Sequence, residues 1–245
     1  MKWLFIDLSK NSGKFNMSYD LELAASLPPN TFILRLYQWN PYCISLGKNQ
    51  SESELNLNRI SSDGLEIVQR PTGGRAILHS EEITYSVITN LDVENTPKIL
   101  YRKISEALSQ GLTLYDHRLV ETELESIQPN FKEVLNEVSA PVCFASTAKN
   151  EVKFSGKKII GSAQRKLNNT ILQHGSILCG TYHKKLVQYL NLSEENIQLI
   201  LNEMDQKTIE IETVLNEPVD YSRLAISLKN GFENYFNIKF EHYER

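Results

Sequence analysis

Short β-rich runs dominate the first ninety residues, and this pattern constrains the fold more than any other feature of the chain. Lys2 to Asp7, Thr31 to Tyr37 with Phe32, Leu34 and Leu36 alternating, Tyr42 to Leu46, and Glu66 to Gln69 read as strands of one sheet. Between the first two, Phe15 to Leu27 sets Met17, Leu21, Ala24 and Ala25 on one helical face. Pro28-Pro29 ends that helix, because proline cannot continue its hydrogen-bond ladder. A second short helix is expected over Ser51 to Ile60.

Ile83 to Thr89 reads as a further strand, and Thr96-Pro97 as an N-cap with proline at the first helical position. The helix that follows, to about Gln110, carries an apolar stripe of Leu100, Ile104, Ala107 and Leu108 and closes near Gly111. A stripe of that spacing packs on a sheet. His117 to Ala140 is acidic and weakly periodic, with Glu121, Glu123 and Glu125 close together, and fits a surface insertion. Val152 and Phe154 alternate with charged neighbours, Ser155-Gly156 offers a turn, and Lys158 to Ile160 resumes the extended pattern, so a hairpin is predicted. Thr170 to Leu172 reads as a strand. Lys184 to Met204 and Tyr221 to Phe236 carry helical stripes, the second through Leu224, Leu228 and Phe232, and Ile238 to Phe240 reads as a last strand.

A chain of 245 residues with 41% hydrophobic content can bury one full-sized core, and no Gly/Ser or Pro-rich tract is long enough to tether a second unit. One domain over residues 1–245 is expected, with its chemistry in a single mixed sheet. The balance of 26 Lys+Arg against 30 Asp+Glu, a net charge of -4, is too near neutral to drive wholesale binding to nucleic acid or anionic lipid. No apolar run approaches the ~18 residues of a membrane helix, and Trp3 to Ile6 is too short for a secretory segment, so a cytoplasmic location is expected. Cys43, Cys143 and Cys179 are an odd number without CxxC spacing, which argues against a disulfide framework and against a zinc knuckle.

Arg70-Pro71-Thr72-Gly73-Gly74-Arg75 lies between two predicted strands, ahead of Ala76 to His79. Adjacent glycines let backbone N–H groups approach a ligand, and the flanking arginines supply charge, so the loop could cradle a phosphate or a thioester oxygen. The alternative is an ordinary tight turn. Lys158 follows Cys143 by fifteen residues. A thiolate near an ammonium is stabilised and nucleophilic; a small core thiol is the bland alternative, and it is kept for Cys43 and Cys179. Strand alternation lets only one of Lys157 and Lys158 point into a site, unless both snorkel to water. Gly161-Ser162-Ala163-Gln164 supplies small residues that leave room for an elongated ligand. His79 and His174 read equally as structural or acid–base groups. No ligand spacing suggests a metal, and no Gly-x-Ser-x-Gly elbow supports a serine hydrolase. Lys149, Lys153, Lys157, Lys158, Arg165 and Lys166 form a basic cluster that could dock an acidic partner or simply be a solvated face.

Taken in order, Trp39 to Gln50 (WNPYCISLGKNQ), Arg70 to Tyr85 (RPTGGRAILHSEEITY), Lys158 to Ala163 (KIIGSA) and Gln173 to Ser176 (QHGS) resemble the lipoate–protein ligase and octanoyltransferase family, whose catalytic domain is shared with biotin protein ligases. The resemblance spans most of the chain. It implies an α+β fold, a mixed and largely antiparallel sheet flanked by helices, without the C-terminal accessory domain that many ligases carry. Arg75 in place of a third glycine, and Cys143-Phe144 upstream of the Gly156-Lys157-Lys158 hairpin, are similar to the cysteine/lysine octanoyltransferases rather than the ATP-dependent ligases. Cys143 and Lys158 match their catalytic pair. Arg70, Thr72, Gly73, Gly74, Arg75, Ala76 and His79, with Gly161, Ser162, Ala163, His174 and Gly175, make up the implied substrate-binding set. Ser80 and Gln69 depart from the family pattern, which often has Asp or Asn after the histidine and a first arginine before the loop.

The activity implied is transfer of octanoyl from octanoyl-acyl carrier protein to a lysine of a lipoyl domain such as the glycine-cleavage H protein, through a thioester on Cys143, with no cofactor. Backbone N–H groups near Gly73-Gly74 or Gly161 are candidate oxyanion donors, and Gly74, Ala76 and Ala163 the expected floor of an acyl tunnel. Two activities within the family remain open, an amidotransferase acting between lipoyl domains and an ATP-dependent lipoate–protein ligase. A non-catalytic module that keeps the acyl pocket is the alternative of another class.

Overall fold

The computed structural model describes residues 1–91, 96–126 and 150–243. In chain order its elements are β1 (Lys2–Asn11), α1 (Gly13–Ala25), β2 (Thr31–Trp39), β3 (Cys43–Leu46), α2 (Leu57–Ser62), β4 (Glu66–Gln69), β5 (Ile77–His79), β6 (Glu82–Asn90), α3 (Pro97–Tyr115), β7 (Thr122–Leu124), β8 (Val152–Phe154), β9 (Lys157–Leu167), β10 (Thr170–Leu178), α4 (Glu194–Lys207), α5 (Ile211–Leu215), α6 (Tyr221–Phe236) and β11 (Glu241–His242). Eight strands form a sheet in the order β11-β1-β2-β6-β10-β9-β8-β7, parallel at β11/β1/β2 and antiparallel from there on. The expectation of a mixed, largely antiparallel sheet flanked by helices is met.

The strands of the first ninety residues do not share one sheet. β3 is paired on both edges, parallel with β4 (Cys43 opposite Glu66) and antiparallel with β5 (Cys43 opposite His79), which makes a separate three-stranded sheet. With both edges of β3 occupied, the chain leaves the large sheet after β2 and re-enters at β6. The small sheet lies against the large one where Trp39 stacks on His79, with ring centroids 4.0 Å apart, and where Ile77 packs on Leu178.

Helices α3 and α6 cover one face of the large sheet and bury the main core, which includes Phe32, Leu34, Val87, Ile104, Leu108, Leu228 and Phe232. Full burial of such side chains contributes roughly 1.5–3 kcal/mol each. Helix α3 is capped by Thr96 and starts at Pro97 as expected, but it runs through Gly111 to Tyr115. Gly111 is a contact point rather than a stop: a Cβ there would meet Leu228 Cα at 2.7 Å, so the missing side chain is what lets the α6 backbone approach. A second core joins the small sheet to α4 and the 3₁₀ segment Thr181–Tyr189.

Other departures have local causes. The helix expected over 51–60 splits into a 3₁₀ turn, Glu52–Glu54, and α2, because the Asn56 side chain caps a new start on Arg59 N–H. The stripe over 184–204 is likewise two elements, the second capped by Ser193. Ile238 to Phe240 is not a strand, since Glu233 takes the Ile238 N–H on its carbonyl and the Phe240 N–H on its carboxylate; strand pairing with β1 begins at Glu241. The hairpin β8–β9 turns at Ser155-Gly156, both with positive φ (48° and 78°), the twist that a two-residue hairpin turn needs. Within 117–140, a 3₁₀ turn at His117–Leu119 and β7 are described, and 127–140 lie outside the described residues. Among the described residues no helix is long and apolar enough to cross a membrane.

Candidate active site

Strand register places two rows of side chains on the large-sheet face opposite α3 and α6. Arg35, Ser86, His174 and Ala163 are paired across four strands in one row, and Tyr37, Thr84, Ser176 and Gly161 in the next. The small sheet and α1 face these rows, and between them lies a cavity. Its lining is Met17, Tyr37, Trp39, Arg70, Ile77, His79, Thr84, Gly161, Ser162, Ala163, His174, Gly175 and Ser176. Of these, only Ser162, Ala163 and Gly175 are partly exposed and so mark the mouth; Met17, Tyr37 and Trp39 lie buried at the other end. β10 extends to Leu178 rather than stopping near Leu172, so Gln173 to Ser176 lie within a strand. Gly175 is required there, because a Cβ would meet Tyr85 Cε1 at 2.8 Å and Ser162 Oγ at 2.9 Å.

Seven residues of the expected binding set thus line one cavity: Arg70, His79, Gly161, Ser162, Ala163, His174 and Gly175. Thr72 stands behind it, bonded through Oγ1 to His174 Nε2 at 2.6 Å. Gly73, Gly74, Arg75 and Ala76 are not in the lining. Ala76 belongs to the second core, and the carbonyl of Gly74 abuts Gly47, so Gly74 and Ala76 do not floor the cavity. Arg70 is the staple of its own loop, donating to the carbonyls of Gly73, Arg75 and Ser45 and to Ser45 Oγ. Only Gly74 (φ 96°) uses glycine's freedom at positive φ in that turn.

His79 bridges Ser45 Oγ (2.7 Å from Nε2) and Glu82 Oε1 (2.8 Å from Nδ1), the atom order of a Ser-His-acid triad. Ser45 is fully buried and its Oγ also accepts from Arg70, so the group serves as a brace between β3, β5 and β6 rather than as an open nucleophile. Ser176 and Thr84 add bonds to Glu82, and Trp39 Nε1 donates to Thr84.

Burial, with smaller pushes from Arg70 and His79, holds His174 far below its ordinary range, at about 3. It is a neutral hydrogen-bonding wall at working pH. The unfolded chain takes up a proton on this residue near 6.5 and the folded chain only near 3, so between those values the unfolded state binds more protons and stability falls as pH falls. The thermal midpoint of the wild type is therefore expected to drop more than that of His174→Gln between about pH 7 and pH 5. Parallel curves from a pH series of thermal melts would refute this.

Behind the cavity wall, Asp20 on α1 meets Arg35 on β2 at 2.7 Å, both side chains at most 1% exposed. Arg35 also donates to Asn16 Oδ1 and the Asn16 carbonyl, while Tyr37 and Ser86 donate to Asp20. Burial raises the Asp20 pKa despite the opposing pull of Arg35 and these hydrogen bonds.

Lys158 is almost fully buried and paired with Glu151 at 3.0 Å, whereas Lys157 turns outward to the Asp205 carbonyl. Only one of the two lysines is therefore buried, and snorkelling of both is excluded. The basic cluster is dispersed among local partners: Lys153 bonds Glu125, Arg165 bonds the Pro71 carbonyl, and Lys149 lies outside the described residues. Cys43 and Cys179 are buried, which pushes both thiols up and makes them poor nucleophiles. Cys143 lies outside the described residues. No group of three His, Cys, Asp or Glu among the described residues could hold a metal.

The model of the lipoyl protein ligase A/B catalytic domain matches residues 12–233. The chain belongs to this family. Octanoyltransferase LipM of Bacillus subtilis is 35% identical over 99% of this chain and 89% of its own length, and octanoyltransferase LipM of Lysinibacillus sphaericus 33% identical over 97% and 88%. A crystal structure of lipoate-protein ligase A bound with ATP superposes with a TM-score of 0.76 at 20% identity, covering all of this chain and 90% of that one. The Thermoplasma acidophilum protein Ta0514, a putative lipoate protein ligase with bound lipoic acid, gives 0.74 at 20% identity with the same coverage. At that identity the likeness concerns the fold.

Within this lipoyl protein ligase A/B domain, several site residues escaped the motif reading. Glu151, Asp20 and Asn16 are polar groups buried by tertiary packing, and no spacing pairs them; Glu82 lies inside the Arg70 to Tyr85 stretch, three residues after its partner His79. Arg35 also left a signal: a charge inside the apolar run Thr31 to Trp39 must be buried and partnered.

Proposed function

We propose that this chain is an octanoyltransferase of lipoate biosynthesis, an acyltransferase that modifies lipoyl-domain proteins through Cys143 and Lys158 in the cytoplasm. The observation that carries the reading is an apolar cavity whose mouth lies on β10 and on β9, the strand that also bears the buried Lys158, in a chain similar over nearly its whole length to octanoyltransferases. The donor is octanoyl-acyl carrier protein and the acceptor a lipoyl-domain lysine, as on the glycine-cleavage H protein.

In the first step the Cys143 thiolate attacks the donor thioester carbonyl. The carbon–sulfur bond to the carrier breaks, and the departing thiolate takes a proton from the Lys158 ammonium. In the second the acceptor amine attacks the Cys143 octanoyl thioester. Lys158, now neutral, takes the proton from the attacking nitrogen as the amide forms and the Cys143 thiolate leaves. One thioester is exchanged for another and then for an amide, so no ATP is consumed.

Intact-mass analysis after incubation with octanoyl-acyl carrier protein tests this. An octanoyl adduct on the wild type that Cys143→Ala lacks is the expected result; ATP-dependent turnover by Cys143→Ala would overturn it in favour of a ligase. Turnover that requires octanoyl-H protein as donor would indicate an amidotransferase instead.

The buried end of the cavity sets the acyl length. Met17 lines that end from α1, so Met17→Ala is expected to admit two further methylenes. Each contributes ~0.8 kcal/mol on burial, which shifts the ten-carbon to eight-carbon preference by about tenfold. Competition between decanoyl- and octanoyl-carrier protein measures the ratio, and an unchanged ratio removes Met17 from the acyl path.

A further inference from the structure

Glu151 belongs to none of the sequence motifs, yet its two carboxylate oxygens join the parts of the site. Oε2 lies 3.0 Å from Lys158 Nζ, with side chains 4% and 1% exposed. Oε1 accepts the backbone N–H of Ser162 at 3.2 Å. Ser162 lines the cavity mouth and is held on two more sides, by Tyr85 OH at its Oγ (2.7 Å) and by Tyr101 OH at its carbonyl (3.2 Å). Glu151 reaches that N–H because strand β8 begins at Val152, opposite Ile160, and does not extend alongside Ser162. A carboxylate thus stands where a neighbouring strand would otherwise pair.

We infer that Glu151 is the positioning residue for Lys158, fixing the lysine ammonium relative to the cavity mouth where the reacting carbonyl of the acyl group sits. This rests on Lys158 handling the transferred proton, as proposed above. The argument is one of leverage: a lysine has four rotatable side-chain bonds and a compact charge, and it donates usefully only if something rigid aims it. The Glu151 carboxylate is rigid because its other oxygen is tied to a residue that is itself clamped by two tyrosines.

The test compares Glu151→Gln and Glu151→Asp in the full-length enzyme with octanoyl-acyl carrier protein as donor and a lipoyl-domain protein as acceptor. Glutamine keeps an acceptor for Ser162 N–H, so the mouth is retained, but it loses the charge that holds the ammonium. Its kcat is expected to fall roughly 10- to 100-fold with the donor KM within about twofold, and Glu151→Asp, which keeps the charge, is expected to recover part of the loss. A wild-type kcat for Glu151→Gln overturns the inference. So do equal losses in both variants that track their thermal midpoints, since a merely structural ion pair behaves that way. Should Glu151→Gln fail to fold, Glu151→Asp decides alone: a reduced kcat at unchanged KM and unchanged midpoint supports positioning, and a wild-type kcat refutes it. Lys158→Met serves as the separate control, because wild-type activity there would remove the role of the lysine itself rather than that of Glu151.

Discussion

Lys158→Met is expected to reduce octanoyl transfer by roughly two to four orders of magnitude, the range for loss of a positioned acid–base group, while octanoyl-acyl carrier protein still binds. The cavity lining does not include Lys158, so its removal leaves the acyl subsite in place and the loss falls on kcat rather than KM. A stability effect accompanies it. Methionine matches the stem but leaves the Glu151 carboxylate, 4% exposed, without this ammonium. Breaking a buried ion pair from one side costs about 3 kcal/mol or more, or roughly 6–12 °C in thermal midpoint for a chain of this size. Assays well below the variant's midpoint separate the two effects. If folded Lys158→Met transfers octanoyl at the wild-type rate, the proton-handling role is wrong.

How far the site was legible differs residue by residue. The hairpin turn at Ser155-Gly156 and the alternation that sends Lys157 and Lys158 to opposite faces follow from local chemistry, and both are present in the fold; that Lys158 is the buried one does not follow from alternation. The small residues Gly161 to Ala163 and the histidine of QHGS do meet in one cavity. The Arg70 to Arg75 loop was legible as a turn, but not the way Arg70 staples it by donating to the carbonyls of Gly73 and Arg75. Nothing local announces that β3 will be paired on both edges, and that pairing divides the strands into two sheets with the cavity between them. Gly111 looked like a helix stop because its value, close approach to Leu228 more than a hundred residues away, is invisible along the chain. Glu151 was missed for the same reason: its meaning lies in Ser162, across the hairpin.

The second large effect concerns the charged pair beneath the cavity. Asp20→Leu and Arg35→Met are each expected to destabilise the fold by about 3–5 kcal/mol, whereas the double variant should be destabilised by clearly less than their sum. Each single change strands one buried ion: Arg35 would keep the Asn16 oxygens and the ring faces of Tyr37 and Tyr19, and Asp20 the hydroxyls of Tyr37 and Ser86. Burial outweighs the ion pair and hydrogen bonds in setting the Asp20 pKa, which is raised. Each charge therefore carries a desolvation penalty that its partner offsets. Removing both removes both penalties, leaving mainly the unpaired Tyr37 and Ser86 hydroxyls as the residual loss. Urea titration of all four proteins gives the coupling, expected at roughly 2–3 kcal/mol; additive losses would mean that the two side chains are stabilised independently. Tyr37 lines the cavity and His174 Nδ1 lies 4.0 Å from Asp20, so either single variant should also loosen the wall against which the acyl chain packs. The double variant, with no stranded charge, is then expected to regain acyl discrimination along with stability.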